Sequence, residues 1–178
     1  MKSFLLLIIS LFIFSCTSGK TTKGGIYING VYKNSELKYN IGRLPKVWKR
    51  LDVNYLNLVF YNTKNNSVIY VNGKCSGSSD VPLTILRTHL LLGFKHKKII
   101  KSEKLKIENR EGLHSIVLAS LDGVKRKIDY YIFKKDGCLY DFVLISTIAT
   151  FYENQKKFNN VVNKFKIIKG SNIKVFVK

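Results

Sequence analysis

Apolar residues follow three different rhythms along this chain. Residues 4–14 (FLLLIISLFIF) form an almost unbroken apolar run, too short to cross a bilayer as a helix. Residues 17–40 are rich in Ser, Thr, Lys, Gly and Asn with scattered aromatics, a composition that reads as a tether. Within that stretch, residues 26–32 alternate weakly around Asn29-Gly30, as a small hairpin would. From Gly42 the apolar pattern becomes denser. Runs at 57–61 and 68–71 read as strands joined by an Asn-rich turn at 62–66. Residues 72–80 read as a loop, and Asp80 can cap a helix that carries Pro82 in its first turn. Leu83, Leu86, Leu90 and Phe94 recur at helical spacing, with Gly93 as the terminator.

The next stretch predicts a four-stranded antiparallel meander over 99–107, 113–121, 125–133 and 138–145. Turns are expected at 109–112, at Asp122-Gly123 and at 134–137, and the Asp-Gly pair is a strong hairpin signal. A last helix is predicted over 149–165. Phe151, Phe158, Val162 and Phe165 share one face of it, and Lys156, Lys157 and Lys164 lie off that face. The tail, 166–178, reads as an edge strand or a hairpin. Helices packed on an antiparallel sheet make a single α+β domain over 42–178.

The N-terminal run gains meaning from its flanks. Lys2 precedes it, and it ends in Ile13-Phe14-Ser15-Cys16. This resembles the lipobox of bacterial lipoproteins: a branched aliphatic residue, a small residue just before the cysteine, then the cysteine. The resemblance implies a signal peptide over 1–15, with Cys16 diacylated, released as the new N-terminus and acylated again, followed by a tether over 16–41. Several acyl chains anchor a protein stably where one binds only marginally. Thr17 is not the Asp that signals retention at the inner membrane, so the resemblance implies an outer-membrane protein facing the periplasm if the host is Gram-negative. Gly19-Lys20-Thr21 mimics the end of a phosphate-binding loop, but Phe14 stands where the first Gly is needed and no strand precedes it.

Further residues carry a second likeness. Asp80-Val81-Pro82-Leu83 before a Leu-rich helix, Leu121-Asp122-Gly123-Val124, and the segment from Lys134-Lys135-Asp136-Gly137 to Cys138-Leu139-Tyr140-Asp141-Phe142 resemble bacterial lipoproteins of unassigned role. The closing Phe158-x-x-Val161-Val162-x-x-Phe165 is similar to the helix that ends PsbP-like domains. That resemblance covers residues 42–168 and implies an α-β-α sandwich. Members of the fold are mostly non-enzymatic accessory or binding proteins, and a shared fold implies no shared activity.

Composition decides among function classes. With 31 Lys+Arg against 11 Asp+Glu the chain carries +20, which by itself suggests nucleic acid. Lys outnumbers Arg 26 to 5, however, and nucleic-acid readers depend on Arg forks, so no nucleic-acid partner is expected. Lys104 and Lys106 share one strand face and Lys125 and Lys127 share another, which would suit a positive stripe against anionic lipid. Cys75 and Cys138 are the thiols left once Cys16 is lipidated. They read either as a disulfide, apt outside the cytoplasm, or as two separate thiols.

No catalytic motif emerges. There is no HExxH, CxxC or GxSxG, and His89, His96 and His114 show no ligand spacing, so neither a metal nor another cofactor is expected. The leading expectation is therefore a membrane-anchored envelope lipoprotein, bound to the bilayer through Cys16 and acting as a non-catalytic accessory module for an envelope complex. A lipid- or polyanion-binding domain using the Lys faces is one alternative. The other is an enzyme whose site gathers Asp141, His114 and residues 76–80, which requires those groups to converge.

Overall fold

Four two-residue turns set the order of the strands. Asn29-Gly30, Glu108-Asn109, Asp122-Gly123 and Asp136-Gly137 each hold both residues at positive φ, between 49° and 86°. This is the turn geometry that matches the natural twist of paired strands, and Asn, Asp and Gly adopt it most cheaply. The computed structural model describes residues 25–75 and 81–169. Cys16, residues 76–80 and residues 170–178 lie outside that description.

A seven-stranded antiparallel sheet forms the centre. Its strands are β4 (Trp48–Leu51), β5 (Leu58–Asn62), β6 (Ser67–Lys74), β7 (Lys95–Ile107), β8 (Arg110–Leu121), β9 (Val124–Lys135) and β10 (Cys138–Ser146). They lie in the order β4-β5-β6-β10-β9-β8-β7. A smaller sheet in the order β1-β2-β3-β11 comprises β1 (Ile26–Ile28), β2 (Val31–Lys33), β3 (Lys38–Asn40) and β11 (Lys166–Ile167). Helix α1 (Leu83–Leu90) covers one face of the large sheet, and α2 (Phe151–Lys164) with the small sheet covers the other.

Strand β10 shows why both faces must be covered. Tyr140, Phe142 and Leu144 point towards α2, while Leu139, Val143 and Ile145 point towards α1. An almost continuous apolar strand of this kind is stable only between two layers. The α2 side holds the larger core, which is strongly aromatic. Phe165 lies 4.9 Å from Phe142 and 5.5 Å from Phe133, centroid to centroid, and Phe133 stacks on Tyr140 at 5.1 Å. The α1 side is smaller and built from Leu91, Val117, Ile128, Tyr130, Ile132 and Val143.

The predicted α+β fold and its meander are present, with boundaries shifted. The turn expected at 109–112 is at Glu108-Asn109, β6 runs on to Lys74, and Val161 rather than Val162 is the more buried residue of α2. The tether expected over 16–41 is the main correction. Residues 26–40 form three strands, and Tyr32, Leu37, Tyr39 and Ile41 are all buried. The tyrosines face inward between more exposed neighbours, Ile26 and Ile28 in β1 and Lys33, Lys38 and Asn40 in β2 and β3, so average composition hid a two-residue rhythm. Leu37 occupies the space above Gly73 of β6, where an added Cβ would stand 2.6 Å from its Cδ1. The tail closes the same small sheet, with Lys166 and Ile167 opposite Asn40 and Tyr39.

Tyr39→Ala should therefore cost about 3–5 kcal/mol, as for other buried aromatics. Urea unfolding would read this as a lower midpoint with an unchanged slope. A loss below about 1 kcal/mol would mean that residues 26–41 act as a linker after all.

Candidate functional site

Polar residues buried beneath α2 are the first place to look for chemistry. His114 on β8 is 5% exposed, and its ring stacks on Tyr131 with centroids 4.1 Å apart and planes 7° from parallel. Its Nδ1 lies 2.9 Å from Glu103 Oε1 on β7, and its Nε2 lies 2.8 Å from Asp129 Oδ1 on β9. Asp129 is fully buried, and its second oxygen accepts a 2.7 Å hydrogen bond from Gln155 Nε2 on α2. Lys101 continues the chain outward, 2.7 Å from Glu103. Three adjacent strands and the helix above them are thus linked through one imidazole.

Charge follows from this geometry. Burial opposes an imidazolium, yet the hydrogen bonds to Asp129 and Glu103 outweigh it and hold the His114 pKa above 6.5. His114 and Lys101 in turn hold the Glu103 carboxyl below its ordinary range. An imidazolium donates from both nitrogens, and here both are taken. The two nitrogens also point in opposite directions, so Glu103 and Asp129 cannot join His114 on a single ion. The arrangement works as a clasp that ties α2 to the sheet rather than as a base awaiting a substrate. Asn154, on the same helix, reinforces it by donating to Ser67 Oγ at 2.9 Å and Ser146 Oγ at 3.0 Å.

The site imagined from Asp141 and His114 does not form. Asp141 lies on β10 between Leu139 and Val143 on the α1 face, whereas His114 faces α2. Burial pushes the Asp141 pKa up to about 7, a hydrogen bond with Asn72 offsets this only partly, and Oδ1 has no partner. Residues 76–80, the third part of that expectation, lie outside the described residues. His89 lies in the last turn of α1 and His96 sits at positive φ in β7, beyond Gly93, so the two stand on different elements.

The lysine stripe is also divided. Register places Lys104 opposite Leu113 and Lys106 opposite Glu111, on the α1 side of the sheet. Lys127 lies on the α2 side, its Nζ 4.3 Å from the Phe151 ring centroid and 4.5 Å from that of Tyr152, and Lys125 shares its strand parity. Lys104 pairs with Glu111 at 3.3 Å. Six lysines and two register shifts mark β7, the outer strand of the sheet. Charge and irregularity at an edge discourage further strands from adding, which gives these lysines a protective role.

Cys75 and Cys138 do meet. Leu139 pairs with Lys74 across β6 and β10, so the next step of the register sets the two cysteines opposite each other, with sulfurs 2.11 Å apart. The link encloses α1 and strands β7 to β9.

Among the described residues lies a concave site that sequence reasoning missed. A groove of about 130 Å³ lies between the 41–45 loop and the C-terminal half of α2. Ile41, Leu44 and Val161 form its apolar part, and Arg43, Lys157, Lys164 and Asn160 its polar part. Arg43 fell at the edge of the supposed tether, so nothing in the spacing joined it to lysines more than a hundred residues away. The i, i+7 pairing of Lys157 and Lys164 was the available signal.

No family profile matches the chain, and no curated protein matches it by sequence. Solved structures do resemble it. Cyanobacterial PsbP (CyanoP) from Synechocystis sp. PCC 6803 is 16% identical with a TM-score of 0.56, over 82% of this chain and 96% of that one. The fold is PsbP-like. LpqN of Mycobacterium tuberculosis, described as involved in cell envelope biogenesis, shares this PsbP-like architecture at 8% identity and a TM-score of 0.55, over 71% of this chain and 82% of its own. PA94 from Pseudomonas aeruginosa, a protein of unknown function, matches at 10% identity and a TM-score of 0.50, over 79% and 97%. At such identities it is the fold that is shared.

The buried ionisable groups predict how stability varies with pH. A folded-state pKa above the unfolded one means that stability is full below the unfolded pKa and is lost as pH rises through the folded one. For Asp141 that window runs from 3.8 to about 7; for His114 it opens at 6.5 and extends upward. Unfolding free energy should therefore fall between pH 4 and pH 8. Asp141→Asn should flatten the acid limb and add about 1–3 kcal/mol at pH 8. His114→Ala should cost about 3–5 kcal/mol by stranding Asp129 without its cation. Denaturant titrations at several pH values check both, and a pH-independent Asp141→Asn difference would contradict the assignment.

Proposed function

We propose that this chain is a lipid-anchored protein of the bacterial envelope whose α+β domain is a non-catalytic binding module serving an envelope complex. The observation that carries the reading is the length of the link between Cys16 and the fold. Strand β1 begins at Ile26, so only nine residues separate it from the candidate lipidated cysteine. At about 3.3–3.6 Å per extended residue, the ten steps from Cys16 to Ile26 span no more than ~36 Å, which would keep the domain close to the bilayer. A short link suits a module that works at a membrane surface or on a neighbour anchored in it.

Three further points support the reading. The pairing of Cys75 with Cys138 suits an oxidising compartment outside the cytoplasm. The PsbP-like fold is shared with LpqN, whose described role is in the cell envelope. The most chemically suggestive group, His114, has both nitrogens engaged and serves the packing of α2. In a Gram-negative host, Thr17 after Cys16 favours the outer membrane, with the domain facing the periplasm.

Metabolic labelling with a radioactive fatty acid tests the anchor directly. The wild-type chain should incorporate label and Cys16→Ala should incorporate none. Equal labelling of the two proteins would refute acylation at Cys16.

A further inference from the structure

The groove between the 41–45 loop and α2 combines features that ordinary lysine-rich surface lacks. Its loop is pinned on several sides. Tyr27 Oη donates to Gly42 O at 2.6 Å, Gly42 N donates to Asn40 Oδ1 at 2.8 Å, and Ile41 N donates to Gly30 O at 2.9 Å. Arg43 reaches back to donate to Asn29 Oδ1. Gly42 is at φ +71°, and a Cβ there would stand 2.6 Å from Lys164 Cδ. Glycine thus lets the loop take a left-handed turn and lets the Lys164 stem lie flat against it.

Charge within the groove is unbalanced. Arg43, Lys157 and Lys164 converge on it from two separate parts of the chain, yet none of them is ion-paired among the described residues. Glu153, one turn before Lys157, also makes no ion pair there. Elsewhere among the described residues three lysines are ion-paired, Lys101 with Glu103, Lys104 with Glu111 and Lys135 with Glu108, so it is the convergence of three cations on one concavity that sets the groove apart. Three cations facing one concavity raise the local potential for an anion. The Arg fork matches the geometry of phosphate oxygens, the two ammonium groups add point charges, and Asn160 offers an amide donor. Ile41, Leu44 and Val161 supply an apolar wall beside them.

From this we infer that the groove is a binding site for a phosphate group attached to an apolar moiety. The inference rests on reading the domain as a binding module and does not need the lipid anchor. Two sources share the chemistry: a phospholipid headgroup and a free phosphorylated compound.

Isothermal titration of the full chain in a non-ionic detergent, first with inorganic phosphate and then with dihexanoyl phosphatidylglycerol, tests the site. Two double variants remove the same charge from different places: Arg43→Ala with Lys164→Gln, and Lys104→Gln with Lys106→Gln. All four side chains are exposed, so both variants should keep a wild-type thermal midpoint. We expect the groove variant to weaken binding about tenfold or more and the strand variant less than about twofold. Phosphatidylglycerol binding about tenfold tighter than phosphate assigns the site to a lipid headgroup, and comparable affinities would show that the apolar wall takes no part and contradict an attached apolar moiety. Absence of binding by both titrants, or equal loss in the two variants, would overturn the proposal. Neither result depends on labelling at Cys16, so anchoring and anion binding fail separately.

Discussion

The placement of α2 across the seven-stranded sheet is the constraint on which the other features depend. Its apolar face, Phe151, Phe158 and Val161, supplies the burial, but burial alone is non-directional and would tolerate sliding. Direction comes from polar side chains. Gln155 fixes one turn of the helix to Asp129, and Asp129 is held through His114 to Glu103 on the outer strand. Asn154 fixes the neighbouring position to Ser67 and Ser146. Breaking such a buried pair costs more than making it gains, because the remaining charge has nowhere to go. A helix clasped this way has one register, and its far end is held against the sheet.

That far end gives the small sheet its role. Strands β1 to β3 bring Tyr32, Tyr39 and Ile41 into the aromatic core, with Tyr39 5.5 Å from Phe165, just after the end of α2. The loop leaving β3 then lies beside Lys157 and Lys164, and Arg43 completes the groove. Stability and recognition are thus linked: the same packing that orders the N-terminal strands assembles the cationic concavity. The cross-strand cysteines act elsewhere, at the open end of the β6–β10 pair, where they secure the excursion that carries α1 and the meander.

Local signals were legible in the chain and distant ones were not. Asp122-Gly123 and Asp136-Gly137 declared their turns because two adjacent residues determine that geometry. The face of α2 was readable because Phe151, Phe158 and Phe165 repeat at helical spacing. Tyr32 and Tyr39 were hidden because three-residue strands are too short for alternation to stand out from a polar background. Asp141 drew attention as an acid flanked by aromatics, yet Asp129, between Ile128 and Tyr130, is the one bound by both His114 and Gln155. Only register and the position of α2 separate the two. The lysine pairs illustrate the same limit: residues within one strand were assigned correctly to shared faces, but the relation between strands β7 and β9 required the register that sets Lys104 opposite Leu113 and Leu113 opposite Ile132.

The central claim is that a clasped helix and a pinned loop present one anion-binding groove. Amide chemical-shift mapping by NMR during titration with phosphatidylglycerol tests this most directly. Perturbations confined to residues 41–45 and 157–164 are the predicted result. Perturbations centred on β7, around Lys104 and Lys106, would contradict it.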